Sequence, residues 1–95
     1  MDLVVYEWDE RKNRLNEAKH GLSFRDVGLV MSGSCLSFQD LRHGYKEERF
    51  ITIGFLERRM VVIAHTFRGE RIRVISMRKA NRREQTIYQK RFEAS

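Results

Sequence analysis

Hydrophobic and polar positions change their spacing at Cys35. Before it, apolar residues come in short groups separated by charged runs; after it, they alternate with polar residues at a period of two. The opening LVVYEW, residues 3–8, is rich in β-branched and aromatic residues and predicts a short strand. Asp9 then stands as an N-cap before the helical run ERKNRLNEAKH, and Gly21 stands where that helix must end. SFRD, residues 23–26, has the S-x-x-D form of a capping signal. The VGLVM run that follows predicts a second, shorter helix stopping at Gly33.

Downstream, CLSFQ (35–39), ERFITIGFL (48–56), MVVIAHTF (60–67) and RIRVISM (71–77) predict four strands, joined by a polar loop and two three-residue turns, ERR and RGE. Asn81 and Glu84 form an N-x-x-E capping pattern that opens a helix over about 82–93. The order is a short strand, two helices, a four-strand antiparallel meander and a basic helix. This is an α+β plan for one compact domain spanning 1–95, with helices packed on both sides of the sheet.

Three-residue turns fix a pairing. They set Phe67 opposite Arg71, His65 opposite Arg73, and Ile51 opposite His65 on its other side. One face of the sheet then gathers Arg49, His65, Arg71 and Arg73 at one end, with its apolar residues at the other. Arg78, Lys79, Arg82 and Arg83 leave the same corner. Guanidinium groups bind phosphate oxygens bidentately, so this corner is a candidate phosphate surface; the simpler alternative is solvated charge that protects a strand edge.

Net charge sharpens that picture. The chain of 95 residues carries a formal charge of +6, yet residues 1–67 are balanced, and the whole excess lies from Arg68 onward. Clustered positive charge attracts a polyanion or an acidic protein. Cys35 is the only cysteine, which excludes an internal disulfide or a cysteine-based zinc site and fits a reducing cytoplasm. No leader pattern and no run of about 18 apolar residues is present, so neither secretion nor membrane spanning is expected.

Among possible proton carriers, His65 lies in an apolar strand and could exchange a proton near neutral pH, although a buried histidine is often only a hydrogen-bonded core residue. Glu48, at the start of its strand beside Arg49, could act as a base or pair with Arg49 or Arg71. His20 sits in a last helical turn, where a cation is favoured, and His43 lies in a polar loop with no evident partner. Glu84 reads as a capping carboxylate and Tyr88, one turn on, as a packing residue. The histidines lack metal-ligand spacing, and no P-loop or nucleophile elbow occurs, so no metal or cofactor is expected.

Taken together, YEWDERKNRLNEAKHGLSF (6–24), EERFITIGF (47–55), VIAHTFRGERIRVISMRKANRRE (62–84) and Tyr88 resemble the BrnT toxins of bacterial type II toxin–antitoxin systems. The resemblance covers nearly the whole chain and rests on the combination of W-D, K-H-G-x-S-F and R-I-x-x-I-S-x-R. It implies a RelE-like fold, a ribonuclease that stops translation, and neutralisation by a ribbon-helix-helix antitoxin of the BrnA type. Operator DNA would be met only through the complex with that antitoxin. Read with the charge pattern, it points to metal-independent RNA cleavage by attack of the ribose 2′-hydroxyl on the adjacent phosphate. His65, Arg73, Arg78, Glu48 and Arg49 are then the catalytic candidates, and Arg68, Arg71, Lys79, Arg82 and Arg83 the RNA-binding ones. Two alternatives are a non-catalytic nucleic-acid or repressor-complex module, and a pure antitoxin-docking domain.

Overall fold

The structure, a computed structural model, describes residues 4–42, 44 and 46–93; His43 and the start of the first strand at Leu3 lie outside them. Its elements are β1 (Val5–Glu7), α1 (Glu10–His20), a 3₁₀ turn (Phe24–Asp26), α2 (Val27–Met31), β2 (Leu36–Asp40), β3 (Arg49–Leu56), β4 (Arg59–Arg68), β5 (Arg71–Lys79) and α3 (Arg82–Glu93). One five-stranded mixed sheet has the order β1-β5-β4-β3-β2. β2 to β5 are antiparallel neighbours, and β1 joins the sheet by pairing parallel with β5.

Local signals set the helix ends. The Asp9 carboxylate accepts the N–H groups of Arg11 (2.8 Å) and Lys12 (3.4 Å), and Gly21 closes α1 at φ 68°, its N–H donating to Glu17 O. That conformation is one that residues with a Cβ rarely adopt. α1 has no apolar stripe; Leu15 on it is largely exposed. Two buried asparagines dock it instead. Asn13 Oδ1 accepts Phe24 N–H, while Asn16 donates to Leu22 O (2.9 Å) and Met77 O (2.8 Å) and accepts Met77 N–H (3.2 Å). β1 pairs with β5 only over residues 71–73. Asn16 therefore satisfies the backbone of β5 where no neighbouring strand reaches it.

Each face of the sheet has its own core. On one, Val61, Ile63, Val74 and Met77 meet Leu22, Phe24, Val27 and Val30 beneath α1 and α2. On the other, Ile51, Ile53 and Val62 meet Ala80 and Tyr88 at α3. Tyr88 anchors α3, its hydroxyl donating to Ser34 O at 2.8 Å and its ring edge-on to Phe55. Gly54 allows α2 to approach the sheet: a Cβ there would lie 2.9 Å from Val30 Cγ1 and 3.1 Å from Cys35 Cβ.

The hairpins correct the expected register. Leu56 pairs with Arg59 and Arg68 with Arg71, so both turns have two residues, Glu57-Arg58 and Gly69-Glu70. Positive φ falls at the first position of each, 57° at Glu57 and 62° at Gly69. Two-residue turns of this hand match the twist of the strands they join. Phe67 therefore faces Ile72 and not Arg71; Arg73 faces Thr66; and His65 faces Val74 on one side and Phe50 on the other. A β-bulge between Ala64 and His65 adds one residue to β5, since Ala64 pairs with Ser76 while His65 pairs with Val74. The extra residue is Ile75. Past it, the alternation of β5 side chains is reversed.

Candidate functional site

Direct cross-strand partners share a face, and five of them form a row across the sheet on the α3 side. Asp40 pairs with Arg49, and Thr66 pairs with Arg73, which pairs with Glu7. Arg49 precedes Phe50, the partner of His65, and so lies next to Thr66. Arg49 and Arg73 are two strand spacings apart, about 10 Å at the backbone. Two arginine side chains can close such a gap on one phosphate.

Arg73 is half-buried, and its Nη1 donates to Glu7 Oε2 at 2.8 Å; Arg71 reaches the other oxygen of Glu7 at 3.8 Å. At the hairpin end of this face, Arg68 pairs with Glu47 at 3.7 Å. The bulge brings Arg78 to the same face, where it pairs with Val62 of the α3-side core. Its guanidinium grips Glu84 with two bonds of 2.8 and 2.7 Å, and Glu84 also accepts Asn81 N–H. Glu84 N–H in turn donates to Asn81 Oδ1, so one carboxylate completes the capping box and fixes Arg78. The hydrogen bonds from Arg78 hold the Glu84 carboxyl below the usual carboxylate range, and those to Glu84 raise Arg78.

Between α3 and β2 lies a cleft of about 300 Å³, lined by Phe38, Asp40 and Ile51 from the sheet, Arg78, and Asn81, Arg83, Glu84 and Ile87 from the helix end. Asp40 is buried there and held by Arg42 through two side-chain bonds of 2.9 and 3.0 Å. An adjoining hollow of about 220 Å³ is lined by Asp40, Glu48 and Arg49.

Of the residues singled out in the sequence, Arg49, Arg68, Arg71, Arg73 and Arg78 share this face, Arg83 overhangs it, and Glu48 lies at its rim. Arg82 is exposed in the first turn of α3, and Lys79, paired with Val61, points to the other side. His65 is also on the other side, 4% exposed, and the expected pairing with Arg73 does not form. Its Nε2 is 2.8 Å from Thr52 Oγ1, which is 2.7 Å from Ser37 Oγ, and its ring lies between those of Phe50 and Phe67. Nδ1 is buried with no hydrogen-bond partner among the described residues, and burial pushes the imidazole pKa down. Asp40, Arg42 and Glu7 join the site without a sequence signal: two lie at the edge of an aperiodic polar loop, and Glu7 enters only because β1 pairs with β5. Among the described residues no group of three or more His, Cys, Asp or Glu side chains is placed to hold a metal ion. No helix among them is long and apolar enough to cross a membrane.

The site is thus an arginine-rich face on the sheet of an α+β protein, with a cleft beside it. The profile of a protein family described as the ribonuclease toxin BrnT of type II toxin–antitoxin systems matches residues 8–84, most of the chain and every residue of the row except Glu7. The chain belongs to that family of ribonuclease toxins, whose type II systems imply a protein antitoxin as partner. No curated protein matches it significantly.

Proposed function

We propose that the α3-side face binds single-stranded RNA and cleaves it by attack of a 2′-hydroxyl on the adjacent phosphate, without a metal, in an endonucleolytic reaction that halts translation. The observation that carries this reading is the placement of Arg49, Arg73 and Arg78 on one face beside an open cleft. Arg49 and Arg73 hold the scissile phosphate and stabilise the charge that builds on it in the transition state. Arg78, fixed by Glu84, lines the wall next to it. Glu48, in the hollow it shares with Arg49, accepts the 2′-hydroxyl proton as the 2′-oxygen bonds to phosphorus; the P–O5′ bond breaks and the departing 5′-oxygen takes a proton from solvent water. His65 belongs to the core of the opposite face and takes no part in the chemistry. Arg68, Arg71 and Arg82 follow the RNA backbone, Arg83 meets the RNA at the cleft, and Lys79 attracts it from outside the face. A RelE-like mode of action and a BrnA-type antitoxin, which would neutralise the toxin in the cytoplasm, complete the proposal.

The test is expression of the chain in a bacterial host with and without its antitoxin, followed by mapping of RNA ends. Growth arrest and new RNA ends bearing 2′,3′-cyclic phosphates, both relieved by the antitoxin, are expected. Normal growth and intact RNA despite soluble toxin would contradict the reading.

A further inference from the structure

The cleft beside the arginine row is shaped and polarised for a nucleobase rather than for another phosphate. Beside Asp40, its sheet side presents an apolar patch: Phe38 is 40% exposed on the edge strand, next to buried Ile51, and Ile87, 38% exposed, faces them from α3. A flat ring can stack there, and stacking on an exposed aromatic is the usual way single-stranded RNA is held.

Both acids in the cleft are already saturated with donors. Asp40 carries the Arg42 fork, and Glu84 carries the Arg78 fork and the Asn81 N–H. The amide oxygen of Asn81 is likewise engaged, accepting Glu84 N–H at 2.8 Å, which leaves its NH₂ group as the available end. Arg83 has no ion pair among the described residues. The cleft therefore offers donors on one side and an apolar platform on the other. Such a site fits a base edge with two adjacent acceptors, which is the N7/O6 edge of guanine; adenine presents a donor at the second position.

We propose that this cleft is a guanine subsite for the nucleotide next to the scissile phosphate, with Phe38 as the stacking platform and Arg83 and Asn81 as the readers of N7 and O6. The proposal rests on the RNA-binding reading of the same face. It makes the enzyme prefer a guanosine beside the cut.

The experiment uses the full chain and short, uncleavable 2′-O-methyl oligouridylates carrying one guanosine or one adenosine, with inorganic polyphosphate as a base-free competitor. Wild type should bind the guanosine oligomer at least about 10-fold more tightly than the adenosine one, the size of one good base contact. Phe38→Ala should weaken the guanosine oligomer about 10-fold, as expected for one lost stack, with polyphosphate affinity retained, and Phe38→Trp should restore binding. Arg83→Gln should erase the guanosine preference, as should 7-deazaguanosine in the oligomer. Oligomer binding that is unchanged in folded Phe38→Ala, or that shows no preference for guanosine, would overturn the subsite while leaving the RNA-binding face standing. Failure of wild type to bind any oligomer would overturn the subsite and the RNA-binding reading together.

Discussion

Arg73 and Arg78 stand five positions apart on β5 and project from the same face of the sheet. On a regular strand, residues an odd number apart point to opposite sides. The bulge at Ile75 removes that parity, and the same shift puts Val74 and Met77 together in the opposite core. A single irregularity thus completes both the arginine face and the core behind it. Bulges are frequent beside functional sites because they re-aim side chains in this way.

His65 tests the separation of the two faces. His65→Ala removes a buried ring packed between Phe50 and Phe67 and leaves Thr52 short of a partner. A loss of about 2–4 kcal/mol in unfolding free energy is expected in urea titrations. Cleavage per folded molecule should stay within about 3-fold of wild type, far from the 100-fold or greater loss that accompanies removal of a general acid or base.

The same residue gives a pH signature. Burial lowers its pKa, so the unfolded chain binds the proton more readily than the folded one. Its contribution to stability is fully present above the unfolded value near 6.5 and is lost as pH falls below that toward the folded value. Thermal unfolding from pH 8 to pH 5 should show this decline in wild type and a shallower one in His65→Gln.

Glu84 joins two functions in one carboxylate. Glu84→Ala should cost about 1–2 kcal/mol through the lost cap, and it should also lower RNA cleavage by releasing Arg78. Asn81→Ser keeps a capping oxygen and should retain most of the stability, which unfolding and cleavage assays on both variants would separate. Because Arg78 lowers the Glu84 pKa, this pair stabilises the fold above about pH 4.5 and its contribution fades as pH falls below that value.

Most of the architecture was written in local signals. Asp9, Gly21 and the Asn81–Glu84 box act where the sequence puts them, because a cap depends on neighbours within a few residues, whereas Ser23 caps a 3₁₀ turn ahead of α2 and Asp26 makes no side-chain cap bond. The faces were not legible. A three-residue reading of ERR and RGE moves every partner by one, and Glu57 gives no hint of its positive φ. The bulge at Ile75 sits within a run of alternating residues that looks uninterrupted. Arg49, Arg73 and Arg78 could be picked out as basic residues near one corner, but which side each occupies depends on those two backbone events.

Salt dependence measures how the exposed arginines are used. Each phosphate neutralised on a single strand adds a slope of about −0.7 to log K against log salt. Arg82→Ala should flatten the slope by about 0.7, the share of one phosphate contact. An unchanged slope in fluorescence binding titrations would assign Arg82 to antitoxin docking instead.

In the proposed reaction the arginines of the α3-side face perform the cleavage. Single-turnover cleavage of single-stranded RNA by Arg49→Ala, with thermal unfolding recorded on the same preparation, tests it most directly. A drop of about 100-fold or more in rate with a melting temperature close to wild type is the predicted result, in line with the removal of one donor to a transition-state oxyanion. A folded Arg49→Ala protein that cleaves at the wild-type rate would contradict the account.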